Sequence, residues 1–158
     1  MKRKNTIDSR FVICGSMTFY NDMLGIHRIL ADNNVLTIIP KADNKDVSSI
    51  SYEGYMNMKK SASLKHIKEI RRIETIGIIV LNYEKHEIMN YIGANTFAEI
   101  AIAFSHRKKI FLLNEIPDFF SDELRAWGAI ELKGCLDPII EYYRGLDVWQ
   151  PTLFDDFQ

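Results

Sequence analysis

The feature that most limits how this chain can fold is an alternation of two hydrophobic periods. Short, dense apolar runs, suited to strands buried on both faces, are separated by longer segments in which apolar residues return every third or fourth position. The run Arg10-Phe-Val-Ile-Cys14 stops at Gly15-Ser16, and Val35-Leu-Thr-Ile-Ile stops at Pro40. A central run over residues 76–81 stops at Asn82, another over 109–113 stops at Asn114, and a short last strand falls near 129–132. Between them, Phe19, Met23, Ile26 and Leu30 predict a helix over about 18–32, and Leu64, Ile67, Ile70 and Ile73 predict a second. Phe97, Ile100, Ala101 and Phe104 form the expected inner face of a third helix, with two more over 121–127 and 137–144. Strands alternating with helices require a parallel sheet covered on both faces. The expected fold is a single α/β domain over residues 1–146, three layers around a mostly parallel five-stranded sheet, with a C-terminal tail over 147–158.

One stretch obeys neither period. Residues 41–63 are rich in Ser, Asp, Asn and Lys yet hold Tyr52, Tyr55, Met56 and Met58, and a segment that long without its own structure is usually functional or disordered. It reads equally as a lid over a site and as a surface insertion.

Composition removes whole classes of function. Lys and Arg total 20 against 21 for Asp and Glu, a net charge of −1, and the basic pairs Lys59-Lys60, Arg71-Arg72 and Lys108-Lys109 are scattered. Direct binding of nucleic acid is therefore not expected. No run approaches the roughly 18 apolar residues of a membrane span. The basic Met1-Lys2-Arg3-Lys4 is followed by Asn5, Thr6, Asp8 and Ser9, where a signal peptide would be apolar. With Cys14 and Cys135 as its two thiols, the chain is expected in a reducing, cytoplasmic setting. Its 4 histidines lack metal-ligand spacing, and His86-Glu87 leads to Asn90 where a zincin needs a second His. Neither a metal nor a cofactor is expected.

In an open α/β sheet, ligands bind beyond the carboxyl ends of the strands. Those ends carry Gly15-Ser16, Pro40, Asn82 with Tyr83-Glu84, and Asn114-Glu115, while Gly93 through Glu99 opens the third helix. No GxGxxG follows the first strand and no GxxxxGK[ST] occurs, which argues against dinucleotide and P-loop chemistry. Gly15-Ser-Met-Thr18 is a strand-to-helix turn whose N–H groups could hold a phosphate or a sugar hydroxyl, or simply a tight turn with Ser16 as N-cap. Thr96-Phe-Ala-Glu99 has the spacing of a capping box. Alternatively, Glu99 is a carboxylate kept ionised by the helix dipole and available as a nucleophile.

The string Tyr91-Ile-Gly-Ala-Asn-Thr-Phe-Ala-Glu-Ile-Ala-Ile-Ala-Phe104, followed by Lys108-Lys-Ile-Phe-Leu-Leu113, resembles the nucleoside 2-deoxyribosyltransferase family and its relatives, the deoxynucleoside monophosphate N-glycosidases. The likeness extends in outline over residues 10–140. It implies a flavodoxin-like or Rossmann-like sheet and a homodimer or higher homo-oligomer in which a neighbouring subunit closes each site. It further implies that Glu99 attacks C1′ of a deoxyribose, releasing the base and leaving a glycosyl-enzyme ester that water or a second base resolves. The candidate substrate-binding residues are then Gly15, Ser16 and Thr18 at the first turn, Gly93, Asn95 and Thr96 before Glu99, and Glu84 and Asn114 at the other strand ends. Tyr20 is placed to orient Glu99, or is a half-buried amphipathic tyrosine.

The family has an Asp where this chain has Asn82, whose carboxamide can bond a sugar hydroxyl but cannot give up a proton as a general acid. Glu84 or His86 would then supply the proton, or the activity is lost. The nucleotide hydrolases of this group carry an Arg after their first Gly-Ser, where this chain has Met17-Thr18. Two expectations follow: an N-glycosidase or transferase acting on a small nucleoside or nucleotide, and an inactive nucleotide-binding module or sensor. In the tail, Gln150-x-x-Leu153-Phe154 resembles the peptide with which bacterial proteins dock on the replication sliding clamp. Its rival has Trp149, Leu153, Phe154 and Phe157 folding back on the body or a partner subunit.

Overall fold

The structure, a computed structural model, describes residues 9–42 and 46–148. Both readings of the tail motif at Gln150, Leu153 and Phe154 lie outside the described residues. Five strands are present: β1 (Arg10–Gly15), β2 (Thr37–Ile38), β3 (Thr75–Leu81), β4 (Lys109–Leu112) and β5 (Ile130–Glu131). They form one sheet in the order β2-β1-β3-β4-β5, with every neighbouring pair parallel. This is the doubly wound, flavodoxin-like order. The chain leaves β1 for β2 on one side and returns to β3 on the other, so the order reverses between the carboxyl ends of β1 and β3. That crevice is where such sheets take ligands.

The helices are α1 (Tyr20–Asp32), entered through a 3-10 turn at Met17–Phe19, α2 (Tyr52–Arg71), α3 (Ala94–Ser105), α4 (Ser121–Ala126) and α5 (Asp137–Val148). Strand residues alternate between two cores, as a period of two demands. Phe11, Ile13, Ile79, Leu81 and Phe111 face one layer, where Met23, Ile26 and Leu30 of α1 meet Ile139 and Ile140 of α5. Val12, Cys14, Ile78, Val80 and Leu112 face the other, against Ile70 of α2, Ile100 and Ala103 of α3 and Leu124 of α4. Each large aliphatic side chain fully buried this way contributes about 1.5–3 kcal/mol relative to exposure. The result is the three-layer α/β sandwich that the alternating periods require. No helix among the described residues is long and apolar enough to cross a membrane.

Two helices differ from the expectation, for related reasons. Residues 52–63 are not structureless: α2 begins at Tyr52, where the Ser51 hydroxyl accepts a hydrogen bond from Gly54 N at 3.1 Å. The first half of α2 shows no apolar period because it has no fully buried face; the buried residues of α2 are His66 and Ile70. Leu64 is exposed, and Ile73 is exposed beyond the helix end. In α3 the inner face is Thr96, Glu99, Ile100 and Ala103, and Phe104 is 44% exposed. The phenyl rings pack elsewhere: Phe97 stacks on Phe120 at 4.1 Å, and Phe97 and Phe104 stack on Trp127 at 5.4 and 5.1 Å. Turning the aromatic residues toward α4 turns Glu99 toward the sheet.

Candidate active site

At the reversal point, β1 must come close to β3 before it turns into α1. Gly15 permits this: its φ is +152°, and a Cβ there would stand 2.9 Å from the Leu81 carbonyl oxygen. Ser16 follows and caps the 3-10 turn, its hydroxyl accepting from Thr18 N at 3.3 Å. The same oxygen accepts from Lys85 Nζ at 2.8 Å. Lys85 arrives on a tight turn in which Lys85 and Ile88 exchange backbone hydrogen bonds, with His86 and Glu87 at φ values of 53° and 58°. Two successive left-handed non-glycine residues make this a mirror-image hairpin turn, at a cost of order 1–2 kcal/mol each. The Lys85 ammonium also lies 5.2 Å from the centre of the Tyr91 ring.

Asn82, at the end of β3, is fully buried and its carboxamide is occupied. Its Oδ1 accepts from Asn114 N and its Nδ2 donates to Glu115 O, both at 2.8 Å, while Asn114 Nδ2 donates to Asn82 O at 3.3 Å. The two asparagines therefore tie the ends of β3 and β4 together. An Asp at position 82 would face the Glu115 carbonyl with a second acceptor, which gives the amide a structural reason to be here.

Glu99 lies one turn inside α3, which starts at Ala94 with Gly93 as N-cap and no side-chain cap. Thr96 is thus a buried residue of the first turn and not the cap, so the capping-box geometry does not form. Nor does the helix dipole hold the acid ionised at this depth, since its effect fades within the first turn. Glu99 is 4% exposed, and burial pushes its carboxyl up to about 7, against hydrogen bonds from Cys14 and Asn95 that pull it down. Asn95 Nδ2 donates to Glu99 Oε1 at 3.2 Å and is steadied by Ser63 of α2, whose hydroxyl donates to Asn95 Oδ1 at 3.3 Å.

Two further groups complete the surroundings of Glu99. Cys14 Sγ of β1 lies 3.6 Å from His66 Nε2 of α2, and the same nitrogen lies 3.9 Å from Glu99 Oε1. Burial, then the neighbouring Glu99 charge, drives the Cys14 thiol well above its ordinary range. Burial also lowers His66, opposed by a hydrogen bond to the Ile13 main chain and by the Glu69 charge. The His66–Glu99 contact is accordingly one between a neutral imidazole and a carboxyl near its midpoint, not a fixed ion pair. A carboxyl in that condition can serve near neutral pH as a nucleophile or as an acid–base group.

The sequence-derived candidates divide around this centre. Glu99, Asn95 and Thr96 are brought together on α3, while Gly15, Ser16 and Thr18 line the adjoining turn. Glu84 is exposed on the loop that carries Lys85 and His86. Tyr20 packs on the α1–α5 side of the sheet and Glu99 on the α2–α3 side, so the structure does not bring them together. Sequence reasoning missed Cys14, His66 and Lys85 as members of the site. Cys14 was readable as the last inward residue of β1 on that face, and His66 as the residue four before Ile70. A shallow depression of about 280 Å³ is lined by Leu64, Ile67, Lys68, Arg71, Arg72 and His106 at the C-terminal part of α2. It has no carboxylate and lies away from the carboxyl ends of the strands.

Fold and site together define a doubly wound α/β protein with a buried carboxyl, thiol and imidazole beside its topological switch point. No family model matches the chain, and no curated protein is significantly similar to it.

Proposed function

We propose that this chain is a nucleoside 2-deoxyribosyltransferase-like N-glycosidase or transferase with Glu99 as its nucleophile. The observation that carries the reading is the placement of Glu99: a carboxyl with a pKa near 7, aimed inward beside the β1–β3 crevice and oriented by Asn95 and Cys14. In this reading the ionised Glu99 attacks C1′ of a deoxynucleoside or its 5′-monophosphate. The C1′–N bond breaks, the base leaves with its bonding pair and takes up a proton, and a glycosyl ester forms on Glu99. Water, or a second base, then takes the sugar and restores the carboxylate. The exposed Glu84 and His86 are the loop groups able to supply the proton. Lys85 places a positive charge beside Ser16, which favours a substrate with a 5′-phosphate although Met17-Thr18 lacks an Arg. In this reading Gly15 and Thr18 at the same turn, and Gly93, Thr96 and Asn114 at the neighbouring helix start and strand end, are the further substrate-binding residues. The protein would act in the cytoplasm as a homodimer or larger homo-oligomer.

Deoxynucleosides and their monophosphates, incubated with the protein with and without an acceptor base, should release free base. Glu99→Ala should lower that release by about a thousandfold or more, and a glycosyl adduct on Glu99 should appear by mass spectrometry. Unchanged release in Glu99→Ala would remove the proposal. A second reading, an inactive nucleotide-binding module or sensor, is favoured by the closed hydrogen-bonding of Asn82, which leaves no acid at the end of β3. Tight binding of a nucleotide without base release would select it.

A further inference from the structure

We propose that Cys14, His66 and Glu99 form a binding site for a borderline-soft divalent cation, best suited to Zn2+, and that its occupancy silences Glu99. The inhibitory half rests on the reading of Glu99 as nucleophile; the binding half does not. One donor atom each from β1, α2 and α3 converges on a single point, and the three atoms all lie within 4.8 Å of one another. Bonds to Zn2+ of about 2.0–2.3 Å in tetrahedral array put donor atoms roughly 3.3–3.6 Å apart. The observed 3.6 Å from sulfur to nitrogen already matches, and 3.9 Å from nitrogen to oxygen needs a shift of a few tenths of an ångström.

The arrangement is not that of a nucleophile–base–acid relay. A relay uses both nitrogens of its histidine, one for each neighbour. Here the thiol and the carboxyl both lie nearest Nε2, so the three donor atoms form a triangle instead of standing in line. All three side chains are buried, which disfavours a lone thiolate or carboxylate there, and a cation at their centre supplies the compensating charge. On binding, the thiol proton passes to solvent and sulfur coordinates as thiolate. The donor set decides the ion: one sulfur, one imidazole nitrogen and one carboxylate oxygen disfavour Mg2+ and Ca2+, which take oxygen ligands, and suit Zn2+. An outer partner is present as well, since Asn95 holds the carboxylate. Such partners orient the ligands of known metal sites. Three protein ligands leave a fourth position for water.

The test begins with the single-thiol variant Cys135→Ser, which alters an exposed residue and leaves the buried core intact. After treatment with a chelator it is titrated with Co2+ and then Zn2+. The expected result is one Co2+ per chain, a thiolate-to-cobalt charge-transfer band that can arise only from Cys14, tetrahedral visible bands, and displacement of all of these by Zn2+. His66→Gln in the same background should weaken binding at least about tenfold. A raised melting temperature with Zn2+ should accompany binding in the parent and be reduced in the His66 variant. Absence of the charge-transfer band in folded Cys135→Ser protein, or equal affinity in the His66→Gln variant, overturns the site. The activity arm is separate: Zn2+ at one equivalent should abolish base release, and a chelator should restore it. Base release that continues with the site filled overturns the inhibitory half. Cation binding by a protein that releases no base even when metal-free instead overturns the glycosidase reading.

Discussion

The two faces of the sheet are filled by different rules. On the α1–α5 side, Phe11 meets Phe111 edge-on at 5.8 Å and the rings of Tyr142 and Tyr143 at 6.3 and 6.2 Å. Polar pairs on that side, His27 with Thr37 and the Tyr143 hydroxyl donating to Ser9 O, lie at its edges. On the α2–α3 side, Cys14, His66, Thr96 and Glu99 are as buried as the aliphatic residues among them. Three titratable groups in a core destabilise the fold relative to apolar residues of the same volume, and such a cost is typically retained where chemistry needs it. One face therefore holds the fold together, and the other gives up part of that stability to a buried cluster of titratable groups.

The largest test of this division is Phe11→Ala, which removes the ring at the middle of the aromatic layer. It should cost about 3–5 kcal/mol, read as a lower urea midpoint, and a loss under about 1 kcal/mol would break the comparison. On the other face, Glu99→Gln should stabilise. The Glu99 carboxyl titrates near 7 when folded and near its ordinary 4.5 when unfolded, so between those values the unfolded state has lost a proton that the native state keeps. The Glu99 contribution to wild-type stability accordingly falls as pH rises from 4.5 through 7. The metal-free Gln variant should gain about 3 kcal/mol over wild type above pH 7, shrinking to nothing below pH 4.5, where both states are protonated. A difference independent of pH would show that the acid is not strained by burial. Asn82→Ala, which frees the Asn114 N–H and the Glu115 carbonyl, should cost about 1–3 kcal/mol. Tyr143→Phe, which deletes an edge hydrogen bond, should cost about 1 kcal/mol, read as a lower urea midpoint.

The sequence revealed those parts whose burial leaves a period. β1, β3 and β4 are continuous apolar runs because both their faces are covered, and each run ends where its strand ends or within about a residue of it. The first half of α2 was hidden because a helix with an unburied face carries no apolar stripe, only a capping Ser51 and helix formers such as Glu53, Met56, Lys59 and Lys60 mixed with Gly54 and Asn57. The inner face of α3 was misplaced by one position because Phe97 and Phe104 are apolar yet satisfied by Phe120 and Trp127. Glu99 stood out through its local string. Its partners did not, because Cys14 and His66 lie 85 and 33 residues away along the chain and meet it only through the crossover that places α2 beside α3. Asn82 was legible as the end of a strand, but the backbone of the neighbouring strand that occupies its amide was not.

The way α2 is anchored has a mechanical consequence. Its buried residues, His66 and Ile70, both lie in its last third, so the 14 residues from Tyr52 to Lys65 extend from that anchor as an arm of about 21 Å at 1.5 Å per residue. An arm of that length amplifies motion at its root, and a tilt of about 10° at His66 would carry the tip through roughly 3.5 Å. The imidazole beside Glu99 therefore sits at the root of that arm, next to the Ser63–Asn95 hydrogen bond that ties the arm to α3.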